Sequence, residues 1–279
     1  MWLKWCYGFE RARYRNMSDI LVVKYGGHAM SDDSGLFARA LGQALAKNLK
    51  VVVVHGGAPQ VNAALTARGI TPHFIGGFRY TDAATLEVAE EVLARQVGPA
   101  VTAALIAHSI PAVSLSGRGI ITAETLTQLV DGSSVDLGFV GRITAVDADQ
   151  IQSLLDQGKV PVISPVASNS EGTGALNVNG DLVSSAIAGA LDAMALIVMT
   201  DVPGIYRSWP DRGSLISSIT RDELFSLKDS FEDGMSPKVA ACLEAIDNGA
   251  RAVRIIDGRD PQAFALALEN SGGTLVSAC

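Results

Sequence analysis

Lys24, Lys238 and Asp181 are the residues of this chain best suited to handling phosphate or carboxylate groups. Lys24 ends an apolar run and precedes a glycine pair in VVKYGGHAM (22–30), and a second apolar run ends in a second pair, VVVVHGGAPQ (51–60). Glycine lets backbone approach a ligand closely. Successive amides at a strand-to-helix turn point their N–H groups at an anion, and the helix dipole adds to the attraction. A lysine at the end of an otherwise apolar strand needs an anionic partner or a route to water. Lys238 lies in DGMSPKVAACLEAI (233–246), where Pro237 fits the first turn of a helix. A cation there is unfavourable unless an anion sits beside it. In GALNVNGDLVSSAIAGAL (174–191), Asn177, Asn179 and Asp181 alternate, so an extended backbone would aim all three one way. Such a cluster can grip the polar ends of a substrate while its carboxylate orients a cation. Arg79, in FIGGFRYTD, could hold a carboxylate by a two-pronged contact, and TDVPGIY (200–206) is a loop suited to a nucleotide.

Each feature also has a plainer reading. The glycine pairs could be tight turns without a ligand, Asp181 a helix cap in a polar turn, Lys238 a solvated lysine and Arg79 half of a surface ion pair. The glycine pattern is not a P-loop, which puts its lysine after the last glycine and follows it with Ser or Thr, nor is it GxGxxG. No GxSxG or HExxH is present. His55 adjoins the second glycine pair without a metal-site spacing, and reads as local packing or hydrogen bonding.

The elements that position these residues alternate. ILVVK, VVVVH, PAVSL, VPVIS, ALIVMT and RAVRII are short apolar runs bounded by turn residues. Amphipathic stretches lie between them: one after Ser31, a plausible cap, one near 58–68, and a longer one after Thr81, also a plausible cap. That rhythm predicts a mainly parallel sheet covered on both faces. Residues 120–146 break it with Thr/Val alternation and a DG turn, predicting a hairpin or small antiparallel insertion.

The chain has 279 residues, 48% hydrophobic and 18% charged, enough for one large domain or two lobes. The boundary between lobes falls just before ALIVMT, giving 17–192 and 193–279. Apolar runs such as AMALIVM (193–199) are too short to span a membrane. A net charge of −7 argues against a broad nucleic-acid face. Cys6, Cys242 and Cys279 show no paired spacing, which favours a reducing cytoplasm over a disulfide framework or zinc site. Residues 1–16 hold two of the three Trp and four of the 22 basic residues. They read as an upstream extension with Met17 starting the folded unit, or as an arm docking on a neighbouring subunit.

In order, VVKYGGHAM, VVVVHGGAPQVN, GGFRYTD, VDLGFVG, ISPVA, NVNGD, TDVPGIY and GMSPK resemble the amino-acid kinase family, in its acyl-glutamate branch, over about 20–259. The resemblance implies an open αβα sandwich with a mainly parallel core sheet of about eight strands. The N-terminal lobe would bind the acyl amino acid and the C-terminal lobe ATP. The implied reaction moves the γ-phosphoryl group of ATP to the side-chain carboxylate of N-acetyl-L-glutamate, a step of arginine synthesis. Lys24 and Lys238 would clamp that group and Asp181 would orient both. Gly26, Gly27, Gly56 and Gly57 would line the transfer site, the last two also facing the acceptor. Arg79, Asn177 and Asn179 would hold the acceptor, and Asp201, Gly204, Tyr206 and Met235 the nucleotide. Mg2+ would ride on the ATP phosphates without a dedicated protein site, and the family resemblance implies at least a homodimer. Some relatives associate with a nitrogen-signalling protein, but nothing in this sequence specifies that partner.

Three departures stand out: HGGAP for the family's HGGGP, GGFRYTD for NGLRVTD, and a shortened SGRGI. They fall on the acceptor side and leave room for a longer acid such as an N-acyl-2-aminoadipate. The C-terminal end keeps only a Gly-Thr echo of the effector segment of arginine-inhibited members. A regulatory ligand-binding protein on the same fold is the non-enzymatic alternative.

Overall fold

The computed structural model describes residues 19–26, 35–129, 132–172, 174–231, 235–260 and 262–278, with backbone alone at 236–237. Gly27, the cap expected at Ser31, Asp131 of the DG turn, Met17 and the 1–16 extension lie outside the described residues.

Strand β1 (Ile20–Tyr25) leads to α1 (Leu36–Ala46), β2 (Lys50–His55) and α2 (Ala58–Ala67). A hairpin of β3 (Phe74–Ile75) and β4 (Phe78–Arg79) follows. Its two turn residues, Gly76 and Gly77, take φ of 57° and 83°. Both values are positive, as a type I′ turn requires, and only glycine takes them cheaply. Helix α3 (Ala83–Glu90) continues through π-helical Glu91–Val97 into α4 (Gly98–Ala107). Then come β5 (Ala112–Ser116), β6 (Ile121–Thr125), β7 (Gly141–Val146), α5 (Ala148–Asp156), β8 (Val160–Ser164), β9 (Val166–Asn169) and β10 (Ala175–Asn177). The remainder is α6 (Gly180–Ala190), β11 (Ala195–Thr200), β12 (Ser218–Thr220), α7 (Arg221–Leu227), α8 (Ser236–Asp247), β13 (Ala252–Asp257), α9 (Ala263–Leu268) and β14 (Thr274–Ser277).

Eight strands form one sheet in the order β12-β14-β13-β11-β1-β2-β8-β5, in which only β13 and β14 run antiparallel. All six predicted apolar runs are strands of this sheet. Their near-continuous hydrophobicity follows from burial on both faces. Leu21 and Val23 pack with Val51, Val53, Phe37 and Leu41 on one side, while Val22, Val52 and Val54 pack with Val183, Ile187 and Val239 on the other. Each such side chain removed from water contributes roughly 1.5–3 kcal/mol before chain entropy is counted. Strands numbered before residue 192 occupy one half of the sheet and those after it the other, meeting at β1 and β11.

The expected hairpin within 120–146 is present as antiparallel β6 and β7. It belongs to a four-stranded sheet, β10-β9-β6-β7, because β9 pairs with β6 and β10 with β9. Thr81 does not cap α3. Its hydroxyl is buried and donates to the Arg79 carbonyl at 2.8 Å, while the Asp82 carboxylate accepts from the Thr85 amide at 2.8 Å as the cap. Among the described residues no helix is long and apolar enough to cross a membrane.

Helices α6 and α8 meet where Gly189 lies against the chain just past α8. A Cβ at Gly189 would sit 2.1 Å from the Asn248 carbonyl oxygen. Gly189→Ala is therefore expected to destabilise by about 1–3 kcal/mol through overpacking against backbone. The urea midpoint checks it, and an unchanged midpoint would show that the two helices slide apart at no cost.

Candidate functional site

The sheet presents its parallel strands' carboxyl ends to one side, where open α/β sheets bind ligands. Lys24 is the penultimate residue of β1 and Gly26 follows the strand, Gly56 and Gly57 follow β2, Pro165 follows β8, Thr200 ends β11 and Asp201 follows it. Together with Arg79, Asn177, Asn179 and Asp181 they line a cavity of about 330 Å3. The β3–β4 hairpin closes one side with Phe74, Gly77 and Phe78, and Val140 from the β6–β7 connection adds to it.

Lys24 Nζ lies 3.0 Å from Asp181 Oδ1, their side chains 15% and 34% exposed. Asp181 Oδ1 is buried and accepts no hydrogen bond among the described residues, so the pair is an ion contact with acceptor capacity to spare. Asn179, not Asp181, caps α6: its Oδ1 accepts from the Asp181 amide at 2.7 Å. Strand β10 ends at Asn177, Asn179 is still extended at φ −64° and ψ 129°, and the helix begins at Gly180, so Asn177, Asn179 and Asp181 all line the cavity. The first turn of α2, at Gly57, Ala58 and Pro59, lines it too. Two helix N-termini thus converge on a space that already holds a lysine and an arginine, a field suited to anions.

Arg79 is 9% exposed. Its Nη2 reaches the Ala58 carbonyl at 3.5 Å and its guanidinium carbon lies 4.8 Å from the Phe74 ring centroid. Nη1 is buried with no hydrogen-bond partner among the described residues, and burial pulls the guanidinium pKa below its ordinary value. A buried donor left unpaired costs on the order of 1–3 kcal/mol, which a carboxylate ligand would return. Thr81 ties this arginine to the far wall: Asn177 Nδ2 donates to Thr81 Oγ1 at 3.2 Å, and Thr81 donates to the Arg79 carbonyl. Backbone bonds from Thr81 to Leu137, from Phe139 to Thr81 and from Asn177 to Phe139 complete the brace.

A second cavity, of about 450 Å3, opens on the other side of Asp201 and is lined by Tyr206, Arg207, Trp209, Phe231, Met235 and Lys238. Pro237 occupies the first turn of α8, placing Lys238 at its start. Lys238 Nζ is 3.4 Å from Asp201 Oδ1. Burial would raise the Asp201 carboxyl, but the Lys238 charge and the Thr200 hydroxyl outweigh it and hold the pKa below the ordinary value. Asp181 therefore faces Lys24 and Asp201 faces Lys238. Gly204 lines neither cavity, and a Cβ there would fall 2.4 Å from Thr274 Oγ1. Among the described residues no cluster of three His, Cys, Asp or Glu could hold a metal. Cys242 is buried, and burial pushes its thiol pKa up, away from nucleophilic use.

Gly56 gives its N–H to the Tyr25 carbonyl at 2.8 Å, so that amide is not open to a ligand. His55 is fully buried, with Nδ1 2.7 Å from the Gly56 carbonyl oxygen, the local hydrogen bond expected for it. Sequence reasoning missed Thr81 as a link between Arg79 and Asn177. The signal available was its position two residues after the arginine. It also missed Trp209, an exposed aromatic 5.2 Å from Tyr206.

The profile of the amino acid kinase family matches residues 19–257. An acetylglutamate kinase of Corynebacterium urealyticum is 42% identical, the match covering 92% of this chain and 86% of that protein. Another, from Clavibacter michiganensis subsp. michiganensis, is 45% identical over 91% of this chain and 86% of its own. Among solved structures, N-acetylglutamate synthase from Neisseria gonorrhoeae complexed with coenzyme A and N-acetyl-glutamate gives a TM-score of 0.80 at 25% identity, over 94% of this chain and 60% of that one. A carbamate kinase from Giardia shares the fold, with a TM-score of 0.68 at 17% identity over 94% of this chain and 99% of that one.

Burial lowers the His55 pKa from 6.5 to about 4, the hydrogen bond to Gly56 offsetting part of the shift. Between those values the unfolded chain takes up the proton and the folded one does not. The contribution is whole above 6.5 and is lost as pH falls through the window, up to about 3 kcal/mol. Urea midpoints measured across the window should fall less steeply for His55→Asn than for the parent; equal slopes would remove His55 as the source.

Proposed function

The chain belongs to the amino acid kinase family, and on that premise we propose that it transfers the γ-phosphoryl group of ATP to the side-chain carboxylate of N-acetyl-L-glutamate. The products are N-acetyl-L-glutamyl 5-phosphate and ADP, a reaction of arginine biosynthesis. The observation that carries this reading is a single cleft holding a buried, incompletely paired Arg79 and an ion-paired Lys24.

A carboxylate is already a nucleophile, so the reaction needs no general base. It needs two anions aligned and the charge on the transferring group neutralised. Arg79, with Asn177 braced through Thr81, takes the acceptor's α-carboxylate and its neighbouring polar groups, leaving the side-chain carboxylate towards Lys24. Asn179 shapes that wall by capping α6. Lys24, steadied by Asp181, and Lys238, facing Asp201, bear on the phosphoryl group from two sides. Gly26 keeps its backbone bare beside Lys24, since a Cβ would fall 2.4 Å from the Met199 carbonyl oxygen.

The second cavity suits a purine nucleotide, with Tyr206, Trp209, Phe231 and Met235 for the base and Lys238 for the phosphates. The donor set suits Mg2+ carried on those phosphates, where it would neutralise their oxygens. The strand order supports an acceptor lobe before residue 192 and a nucleotide lobe after it. A cytoplasmic homo-oligomer, at least a dimer, is the assembly we expect. The shared name of the relatives favours glutamate over the longer aminoadipate acceptor. The charged clamp argues against a ligand-binding protein without catalysis.

An ADP-release assay tests the proposal. Turnover with N-acetyl-L-glutamate should exceed that with N-acetyl-2-aminoadipate. Lys238→Ala should lower kcat on the order of 100-fold with KM little changed, because its interaction grows in the transition state. Arg79→Ala should chiefly raise the acceptor KM. No turnover of either acid would overturn the reading, preference for the longer acid would move the substrate, and unchanged kcat would remove Lys238 from the transfer step.

A further inference from the structure

His55 immediately precedes Gly56 and Gly57, which line the acceptor cleft; it is fully buried, and the reaction above gives it no task. A carbonyl oxygen can only accept, so the 2.7 Å contact with Gly56 requires the proton on Nδ1. In the neutral ring that leaves Nε2 bare, and Nε2 is buried with no hydrogen-bond partner among the described residues. A strand end chosen for packing alone would carry an apolar side chain here, as the four valines before it do. The surroundings are instead cut to fit an imidazole. The helix passing over it carries Gly98 at that level, where a Cβ would sit 3.1 Å from both His55 Nε2 and Ser114 Oγ.

The bond to the Gly56 carbonyl has a geometric consequence. In a trans peptide the C=O of one residue and the N–H of the next point in opposite directions. Holding the Gly56 oxygen toward the buried ring therefore turns the Gly57 N–H the other way. That N–H meets no acceptor among the described residues, and Gly57 lines the cleft. Gly57 cannot readily be replaced, since its φ is 156° and a Cβ would lie 2.5 Å from Leu93 Cδ2. It also stands at the N-terminus of α2, whose dipole adds to the amide.

We infer that His55 is a positioning residue: it locks the Gly56–Gly57 peptide so that the Gly57 amide is presented as a fixed hydrogen-bond donor to the anion undergoing phosphoryl transfer. This rests on the kinase reading above and adds to it the group that aims one of its donors. Burial keeps the ring neutral well below neutrality, so the lock holds through the working range of such an enzyme. Fixed donors aimed at developing charge need no reorganisation when the reaction occurs.

Two variants and one spectrum test it. His55→Leu keeps bulk and loses the donor, whereas His55→Asn keeps an N–H near the place of Nδ1. His55→Leu should lower kcat about 10–100-fold with both KM values within about threefold, the pattern of a donor used in the transition state. His55→Asn should recover most of that loss even where its melting temperature drops as far. Undiminished kcat in His55→Leu, or equal losses in both variants that track their melting temperatures, would overturn the inference. Should His55→Leu fail to fold, the parent protein supplies the answer by 15N NMR. The Gly57 amide should move strongly downfield when ADP, aluminium fluoride and N-acetyl-L-glutamate are added together, with His55 remaining in the Nδ1–H form. An unmoved amide or the other tautomer would overturn it. A parent that turns over no acceptor defeats the kinase reading; a parent that turns over while the variants behave as packing changes defeats only the role of His55.

Discussion

A cation at the carboxyl end of a buried parallel strand has to be neutralised, and the ion pair between Lys24 and Asp181 is how this fold does it. The two residues are far apart in sequence and adjacent in space for a topological reason. Strand β11 pairs beside β1, and α6, which precedes β11, must cross the sheet before that strand begins. Its N-terminus comes to rest over the end of β1, bringing Asp181 to Lys24. Everything else in the cleft is organised about that junction: the glycine turn of β2 on one flank, Asp201 at the end of β11 on the other.

The site is costly to build before any ligand arrives. Arg79 is buried with one nitrogen unpaired, His55 is buried with its second nitrogen bare, and Asp181 has a buried oxygen outside any hydrogen bond among the described residues. Unsatisfied groups of this kind are normally rare in a protein interior. Here Arg79 and Asp181 line one cleft and His55 precedes its glycine turn, and two apolar layers on the strands' faces offset their cost. Of the three only Arg79 offers a donor, and together with the Lys24 ammonium and the Gly57 amide it makes the cleft ready for negative charge. Donors and cations already in place need not be assembled when two anions are brought together.

Much of the sheet was legible in the residues. Continuous apolar runs such as VVVV, cut off by Gly-Gly, identify strands buried on both faces, and Lys24 stands out because it interrupts that chemistry. The residue types at Arg79, Asn177 and Asp181 were legible for the same reason. What the sequence withheld was pairing. Nothing local distinguishes Thr81 from Asp82 as the cap of α3, because the choice depends on a brace made with residues 137–139 and Asn177. Nothing local says that Gly56 spends its amide on Tyr25, that Gly204 is packed against Thr274, or that Lys238 faces Asp201. Each depends on a contact between distant parts of the chain. The second glycine pair is accordingly less symmetrical with the first than their sequences suggest: one of its amides closes the sheet and the other is left for the cleft.

The most direct test of the Lys24–Asp181 junction is a double-mutant cycle on kcat/KM for N-acetyl-L-glutamate, using Lys24→Met, Asp181→Asn and the two combined. If the pair acts as one unit in transferring the phosphoryl group, the double variant will be about as slow as the slower single variant. Losses that multiply, so that each substitution costs the same whether or not the other is present, would show that the two residues work independently and would contradict the central role given to their contact.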